Sequence, residues 1–388
     1  MSLPNKTVAI FDSSGHTLTH SHTVSLIECF LQDGYHIHLF TRANAVKHYL
    51  NNPHPCVRPF YFDQLEKHYG VYRILSPRPY CRLLGWRLHR RHNYALMIGV
   101  DESGVRSMLD YGRHVPCRKV YYSLHIREYQ NPNRIEREIT DGPDLAQACD
   151  WVITQDADRA ALFCEHYQVA SEKMLYLPGA PLGTPERNRG FFFHDQLGIA
   201  HDKRIALFAG SFYDGLGLDL ILPSLPDWPE NWVFVLHTHH RAMENVHMAF
   251  AIKLLKQMLP AERFWISTRP LDHIHVRQAL DSADAAFACY NFVETNEQTH
   301  ANNQKVGHSS GKFSTALRSG VPVIVNPYTN LADIVRRYRC GVVIDSRADI
   351  PSALQEIGGN FELFSSGAIQ AFQQEFDFQK AYKEMPWH

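Results

Sequence analysis

Gly307-His-Ser-Ser-Gly-Lys-Phe-Ser-Thr-Ala-Leu-Arg-Ser-Gly-Val-Pro-Val-Ile-Val-Asn326 is the stretch from which the fold is read. Ser309, Ser310 and Gly311 are small, leave their backbone N–H groups accessible and suit a helix cap. The spacing predicts a helix over 312–319 with Gly320 as its stop. Residues 321–325 form a short apolar run of the kind buried on both faces in a parallel sheet. A helix start preceded by Ser-Ser-Gly and carrying Lys312 suits a diphosphate, because oriented donors, the partial positive charge of the helix and a full charge converge there. The same residues also suit an ordinary capped helix of an α/β domain.

Outward from this stretch, the chain reads as two series of alternating strands and helices. The first runs through apolar strands at 7–11, 36–40, 94–100, 119–124, 151–154 and 174–177, with helices predicted over 22–32, 103–111 and 156–167. The Pro/Gly-rich segment 178–190 breaks the pattern and reads as a hinge. The second series places strands at 204–209, 232–237, 264–267, 285–289, 321–325 and 341–344. Its helices are predicted to end near 225 and to cover 243–258, 274–282, 312–319, 331–338 and 350–357, with a long loop over 291–311. The expectation is an α/β protein: two doubly wound, Rossmann-like parallel-sheet domains, with ligands at the carboxyl ends of the strands in a central cleft. The expected division is 1–180, 181–365 and a helical tail, 366–388, that crosses back to the first domain.

The totals exclude several classes. The chain has 388 residues, 45% hydrophobic and 20% charged, enough for two ordinary cores. With 39 basic and 40 acidic residues, no global field favours nucleic acid. The eight cysteines contain no Cys-x-x-Cys pair, which argues against a zinc knuckle or disulfide framework and suits a reducing compartment. No apolar run reaches the roughly 20 residues of a membrane span, and no signal peptide precedes the first strand. A soluble, cytoplasmic protein is expected. The 24 histidines include His-x-His pairs such as His36 and His38, but no third ligand stands near them, so no metal site is expected.

Four segments then carry a family resemblance: Trp151-Val-Ile-Thr-Gln-Asp-Ala-Asp158, Leu207-Phe-Ala-Gly-Ser-Phe-Tyr-Asp-Gly-Leu-Gly-Leu-Asp219, Ser309 through Val323, and Leu331-Ala-Asp-Ile-Val335 with Gly341-Val-Val-Ile-Asp345. In this order the chain resembles a GT-B glycosyltransferase, nearest to the family 4 type that uses a nucleotide-activated sugar and retains anomeric configuration. The resemblance implies a sugar transferase with a nucleotide-diphosphate donor and no resident cofactor. The acceptor is left open as a glycan, a lipid-linked sugar or a small molecule. It implies His125 and Lys312 as the candidate catalytic residues. Donor contacts are implied for Gly15, His16, Gly210, Ser211, His239, Arg269, Ser309, Ser310, Gly311, Lys312 and Thr315. The sequence departs from the pattern where family members carry a glutamate pair, since Gly307 and Thr315 stand there, and Ser211 and Leu216 replace basic residues of the first donor-domain turn. Glu294 and Glu297 are possible substitutes without a spacing argument. That gap keeps open a GT-B module that binds a sugar nucleotide or glycan without turnover. A sugar-nucleotide epimerase would require acids for elimination that cannot be placed.

Residues 67–100 carry seven Lys/Arg before Asp101, interleaved with Tyr80, Leu83, Leu84, Trp86 and Leu88. This composition suits peripheral contact with an anionic inner membrane face, and equally a solvated basic surface or a region that binds an acidic acceptor.

Overall fold

The computed structural model describes residues 6–13, 21–42, 54–62, 78–126, 142–210, 216–238, 262–269, 271, 273–291 and 303–388. The chain divides into two compact units, residues 1–182 with 378–388, and residues 183–377.

In the first unit the described elements run β1 (Thr7–Phe11), α1 (Ser21–Gln32), β2 (His36–Thr41), β3 (Val57–Tyr61), α2 (Arg78–His92) and β4 (Tyr94–Val100). They continue as α3 (Asp101–Gly112), β5 (Arg118–Tyr122), α4 (Gly142–Gln147), β6 (Trp151–Thr154), α5 (Ala157–Tyr167) and β7 (Met174–Tyr176). The strands form one parallel sheet of order β3-β2-β1-β4-β5-β6-β7. β1 and β4, central in that order, are almost wholly buried, as their unbroken apolar runs require.

The second unit contains α6 (Phe192–Leu197), β8 (Arg204–Ala209), α7 (Leu218–Ser224), β9 (Trp232–His237), β10 (Phe264–Ser267), α8 (His273–Asp281) and β11 (Ala285–Phe287). It ends with α9 (Gly311–Arg318), β12 (Val323–Val325), α10 (Leu331–Tyr338), β13 (Gly341–Val343), α11 (Ile350–Gly359) and α12 (Phe361–Glu375). Its parallel sheet has the order β10-β9-β8-β11-β12-β13. The order reverses direction at β8, where β11 joins on the opposite edge from β9. Chains of this winding place ligands at the carboxyl ends of such strands.

Three elements depart from the sequence expectation. β3, Val-Arg-Pro-Phe-Tyr, is absent from the strands read above; it carries Arg58 and Pro59 and lies at the edge of its sheet, where a missing donor is tolerated. α2 has no clean apolar face, but Gly85 lets it approach α3 so closely that a Cβ there would stand 1.9 Å from the Tyr111 carbonyl oxygen. α4 spans only six residues. The expected helix over 243–258 lies outside the described residues.

The tail also differs from expectation. α12 stays with the second unit, because the Ser365 hydroxyl donates to the Gly320 carbonyl at 2.7 Å and Gly367 lies against the Tyr338 and Arg339 carbonyls. The chain returns to the first unit only at Phe378, where α13 (Phe378–Lys383) begins. There Tyr382 donates to Asp33 at 2.8 Å and its ring meets Phe30 edge-on at 5.4 Å.

Candidate functional site

In the second unit, the predicted phosphate helix is α9, beginning one residue earlier than the sequence suggested. Its N-cap is Ser310, whose Oγ accepts from the Phe313 amide at 3.3 Å. Ser310 Oγ also lies 2.7 Å from the Tyr290 hydroxyl, which ties the cap to the end of the β11 segment. A 3-10 turn, Gly307–Ser309, leads into it, with the Gly307 amide donating to Asn330 Oδ1 at 2.7 Å. Gly320, at φ +60°, ends the helix as expected of a left-handed stop.

Lys312 occupies the first turn of this helix. Its Nζ is fully covered and has no hydrogen-bond partner among the described residues. It rests 4.1 Å from the Tyr290 ring centroid and 4.7 Å from that of Phe208. Burial pushes its pKa down to about 7, only partly opposed by Cys289. An ammonium group held by two aromatic faces, with no hydrogen-bonded anion among the described residues, is electrostatically unfinished. Thr315, by contrast, gives its hydroxyl proton to the Gly311 carbonyl one turn back. Its oxygen can only accept from a ribose hydroxyl, so the charge-assisted contact of a glutamate is not reproduced.

Sequence reasoning missed the residues that hold this helix in place. Asn326, after β12, donates to the Tyr290 carbonyl at 2.7 Å and accepts from the Tyr290 amide at 3.1 Å. The Asn326 side-chain Nδ2 also donates to Asn291 Oδ1 at 3.1 Å, and Asn291 donates to both oxygens of Asp219 in α7 at 2.8 and 2.9 Å. Gly217, at φ +76°, closes the turn into α7; a Cβ there would stand 2.5 Å from Cys289 Cβ. The available signal was position alone, since each of these residues follows a strand at its carboxyl end.

Of the other expected donor contacts, Gly210 follows β8 in the same unit with φ +151°, open space beside it and its amide bonded to the His237 carbonyl at 3.0 Å. Arg269 is exposed on the bend after β10. Gly15, His16, Ser211 and His239, like Glu294 and Glu297, lie outside the described residues.

His125 belongs to the first unit, just beyond β5. Its Nδ1 lies 2.9 Å from Asp101 Oδ2, and its side chain is 59% exposed, so it is not a core histidine. Asp101 Oδ1 accepts from the Leu124 and His125 amides at 2.7 and 3.0 Å. Burial pushes the Asp101 carboxyl up, but His125 and the two amides outweigh it, and its pKa lies below the ordinary value. An ionised carboxylate only accepts, so Nδ1 carries the proton and the ring is oriented. Asp101 sits in the left-handed region at φ +52°, where aspartate is tolerated better than most residues. Behind it, fully buried Arg159 donates to the Leu124 carbonyl at 2.9 Å and to Gln155 Oε1 at 2.7 Å, while Gln155 donates to the Ser123 carbonyl at 2.7 Å. The loop that carries His125 is therefore fastened from below.

α2 turns Arg82, Leu83, Trp86, Arg87 and Arg90 outward, with Leu83 and Trp86 45% and 46% exposed. The Arg90 guanidinium lies 4.8 Å above the Trp86 ring. Among the described residues no helix is long and apolar enough to cross a membrane, and no three His, Cys, Asp or Glu side chains are grouped to hold a metal.

The two parallel-sheet units are those of the GT-B fold. Solved structures of that fold match the chain nearly end to end. Anabaena HepE, solved in complex with UDP-glucose, is 13% identical, with 97% of each chain covered and a TM-score of 0.72. Sucrose-phosphate synthase from Thermosynechococcus elongatus is 14% identical, covering 98% of this chain and 97% of its own, with a TM-score of 0.68. A glycosyltransferase from Rickettsia africae is 10% identical, with the same coverage and a TM-score of 0.69. More particularly, residues 289–361 match the family model described as glucosyltransferase 3-like, C-terminal domain. That match spans Tyr290, the capped helix and Asn326. No curated protein matches the chain in sequence.

Proposed function

We propose that this protein is a glycosyltransferase that moves a hexosyl group from a nucleoside-diphosphate donor to an acceptor hydroxyl with retention. The observation that carries the proposal is the covered Lys312 ammonium, without a hydrogen-bond partner among the described residues, in the first turn of a Ser310-capped helix. A diphosphate would supply an anion there, with the Gly311 amide at the helix start as donor, since the Ser309 and Ser310 amides are already given to the Val306 and Gly307 carbonyls. The family-model match over the same residues and the UDP-glucose complex of Anabaena HepE support this reading. In the reaction the bond from the anomeric carbon to the diphosphate oxygen breaks, and a bond to the acceptor oxygen forms. The acceptor proton leaves with the departing diphosphate or to solvent, and Lys312 with the helix amides stabilises the charge that develops. His125, its Nδ1–H held by Asp101, turns Nε2 toward a hydroxyl of the transferred sugar, accepting from it as the neutral ring and donating to it as the imidazolium. Gly15, His16, Gly210, Ser211, His239 and Arg269 complete the donor contacts, with Thr315 accepting from the ribose. The donor is a substrate, and no resident cofactor enters the scheme.

The outward strip of α2, with arginines flanking Leu83 and Trp86, supports a cytoplasmic enzyme that rests on an anionic membrane surface and meets a lipid-linked glycan acceptor. Wild type is expected to float with anionic vesicles but not neutral ones, and Trp86→Ala/Arg87→Glu to remain behind. Equal flotation of the two proteins would remove this part. A nucleic acid has no place in the scheme, because the near-balanced charge of 39 basic and 40 acidic residues gives it no field to follow.

The test of the activity is calorimetry with UDP and GDP, followed by product detection across a donor panel. Binding by wild type, its loss in Lys312→Ala and turnover of one donor are expected. Binding without turnover under any acceptor condition would instead favour a module that holds sugar nucleotide without reacting it. Gly307 in place of a carboxylate, and the Thr315 hydroxyl bonded within its own helix, favour that second reading.

A further inference from the structure

The turn that precedes the phosphate helix is held from a distant part of the chain. Glu375, the last residue of α12, places one carboxylate against three partners. Oε1 accepts from Arg337 Nη1 at 2.9 Å and from the Tyr338 hydroxyl at 2.7 Å, and Oε2 meets His308 Nε2 at 3.0 Å. His308 is the middle residue of the Gly307–Ser309 turn, and its ring also lies 5.0 Å from that of fully buried Phe376. Phe376 in turn contacts Phe313 of α9 at 5.9 Å. On the other side of the turn, Asn330 fixes Gly307 and the Ser309 amide closes onto the Val306 carbonyl at 2.7 Å.

We propose that Glu375 is a positioning residue: through His308 it fixes the Gly307–Ser309 turn, whose inward-bonded amides set where α9 starts and how its first amide, that of Gly311, is aimed. The proposal rests on the donor-phosphate reading above. The carboxylate side chain is 17% exposed, and such a buried anion is retained at a cost unless its acceptor sites are used. Here both oxygens are used, and only one bond goes to the turn; the other two fasten the carboxylate to the end of α10. The arrangement is a strut with one fixed end and one working end. The hydrogen bonds from His308 and Tyr338, together with Arg337, hold the carboxyl near a pKa of about 2 against burial, so the acceptor stays ionised at neutral pH. In either charge state His308 can donate from Nε2, so the link does not require a protonated imidazole.

The test compares Glu375→Ala, His308→Ala, their double variant and Arg337→Ala, which removes the 62% exposed partner without touching the turn. Two measurements are made: amide hydrogen exchange across 307–311 without ligand, and the dissociation constant for UDP. Exchange at these amides is expected to accelerate about tenfold in Glu375→Ala and in His308→Ala, no further in the double variant, and little in Arg337→Ala. UDP affinity should weaken in the same order and by about the same factor. Unchanged exchange in Glu375→Ala, equal effects from Arg337→Ala, or fully additive effects in the double variant would each overturn the strut. If wild type binds no nucleotide while exchange follows the expected order, the donor reading fails and the strut stands.

Discussion

Replacing Lys312 by methionine should make the protein more stable and at the same time unable to bind its donor. The folded-state pKa of about 7 lies well below the ordinary lysine value of 10.5. Between those values the unfolded chain binds a proton that the folded chain rejects, so the contribution of this residue to stability rises with pH across the window. At about 1.4 kcal/mol per pH unit, the wild-type lysine costs on the order of 4 kcal/mol at pH 7. Any attraction of the ammonium to the Phe208 and Tyr290 rings is already contained in the folded-state value and lowers that cost no further. Lys312→Met fills the same space with an apolar chain and should gain on the order of 4 kcal/mol at pH 7, the advantage shrinking as pH approaches 10.5. Urea melts of both proteins, at several pH values from neutral to mildly alkaline, measure the difference directly. If the proposed donor site holds UDP, thermal stabilisation by UDP is expected in wild type and its loss in the same variant. A variant less stable at pH 7, or a difference that does not change with pH, would refute the account of a strained, covered ammonium.

Two further outcomes follow from the geometry. Asp101→Asn preserves a residue tolerated at φ +52° but turns a pure acceptor into a possible donor toward His125 Nδ1; turnover should fall about 100-fold with donor affinity unchanged, read from kcat and donor KM. Gly217→Ala forces a side chain into the left-handed region and toward Cys289, and should lower stability by about 2 kcal/mol or more in thermal melts, with Gly198→Ala, where nothing lies within 4 Å, losing less.

Much of the fold was legible because its signals are local. The Ser310 cap, the Gly320 stop and the apolar run of β12 lie within sixteen residues of one another and each reports on its own neighbours. The parts that escaped depend on distant partners. α2 is held by the approach of Gly85 to Tyr111, which no periodicity in its own sequence announces. Tyr290 matters because of Ser310, twenty residues on, and Asn326, thirty-six residues on. Asp101 lies just ahead of the helix read over 103–111, and nothing in its local sequence marks it. Its grip on His125 depends on a backbone angle that the sequence does not display. Lys312 is recognisable by its place on the helix, but no local pattern announces that its ammonium is covered by the Phe208 and Tyr290 rings.

The return of residues 378–388 to the first unit makes that unit discontinuous in sequence, with the whole of residues 183–377 spliced into it. On the ribosome, the opening half must therefore wait for some two hundred residues of a different unit before Tyr382 and Trp387 can seat against Phe30. Until then the patch around Phe30 on α1 stays wet and sticky, an invitation to chaperones. A circular permutant that opens between residues 377 and 378 and joins His388 to Met1 would relieve that wait.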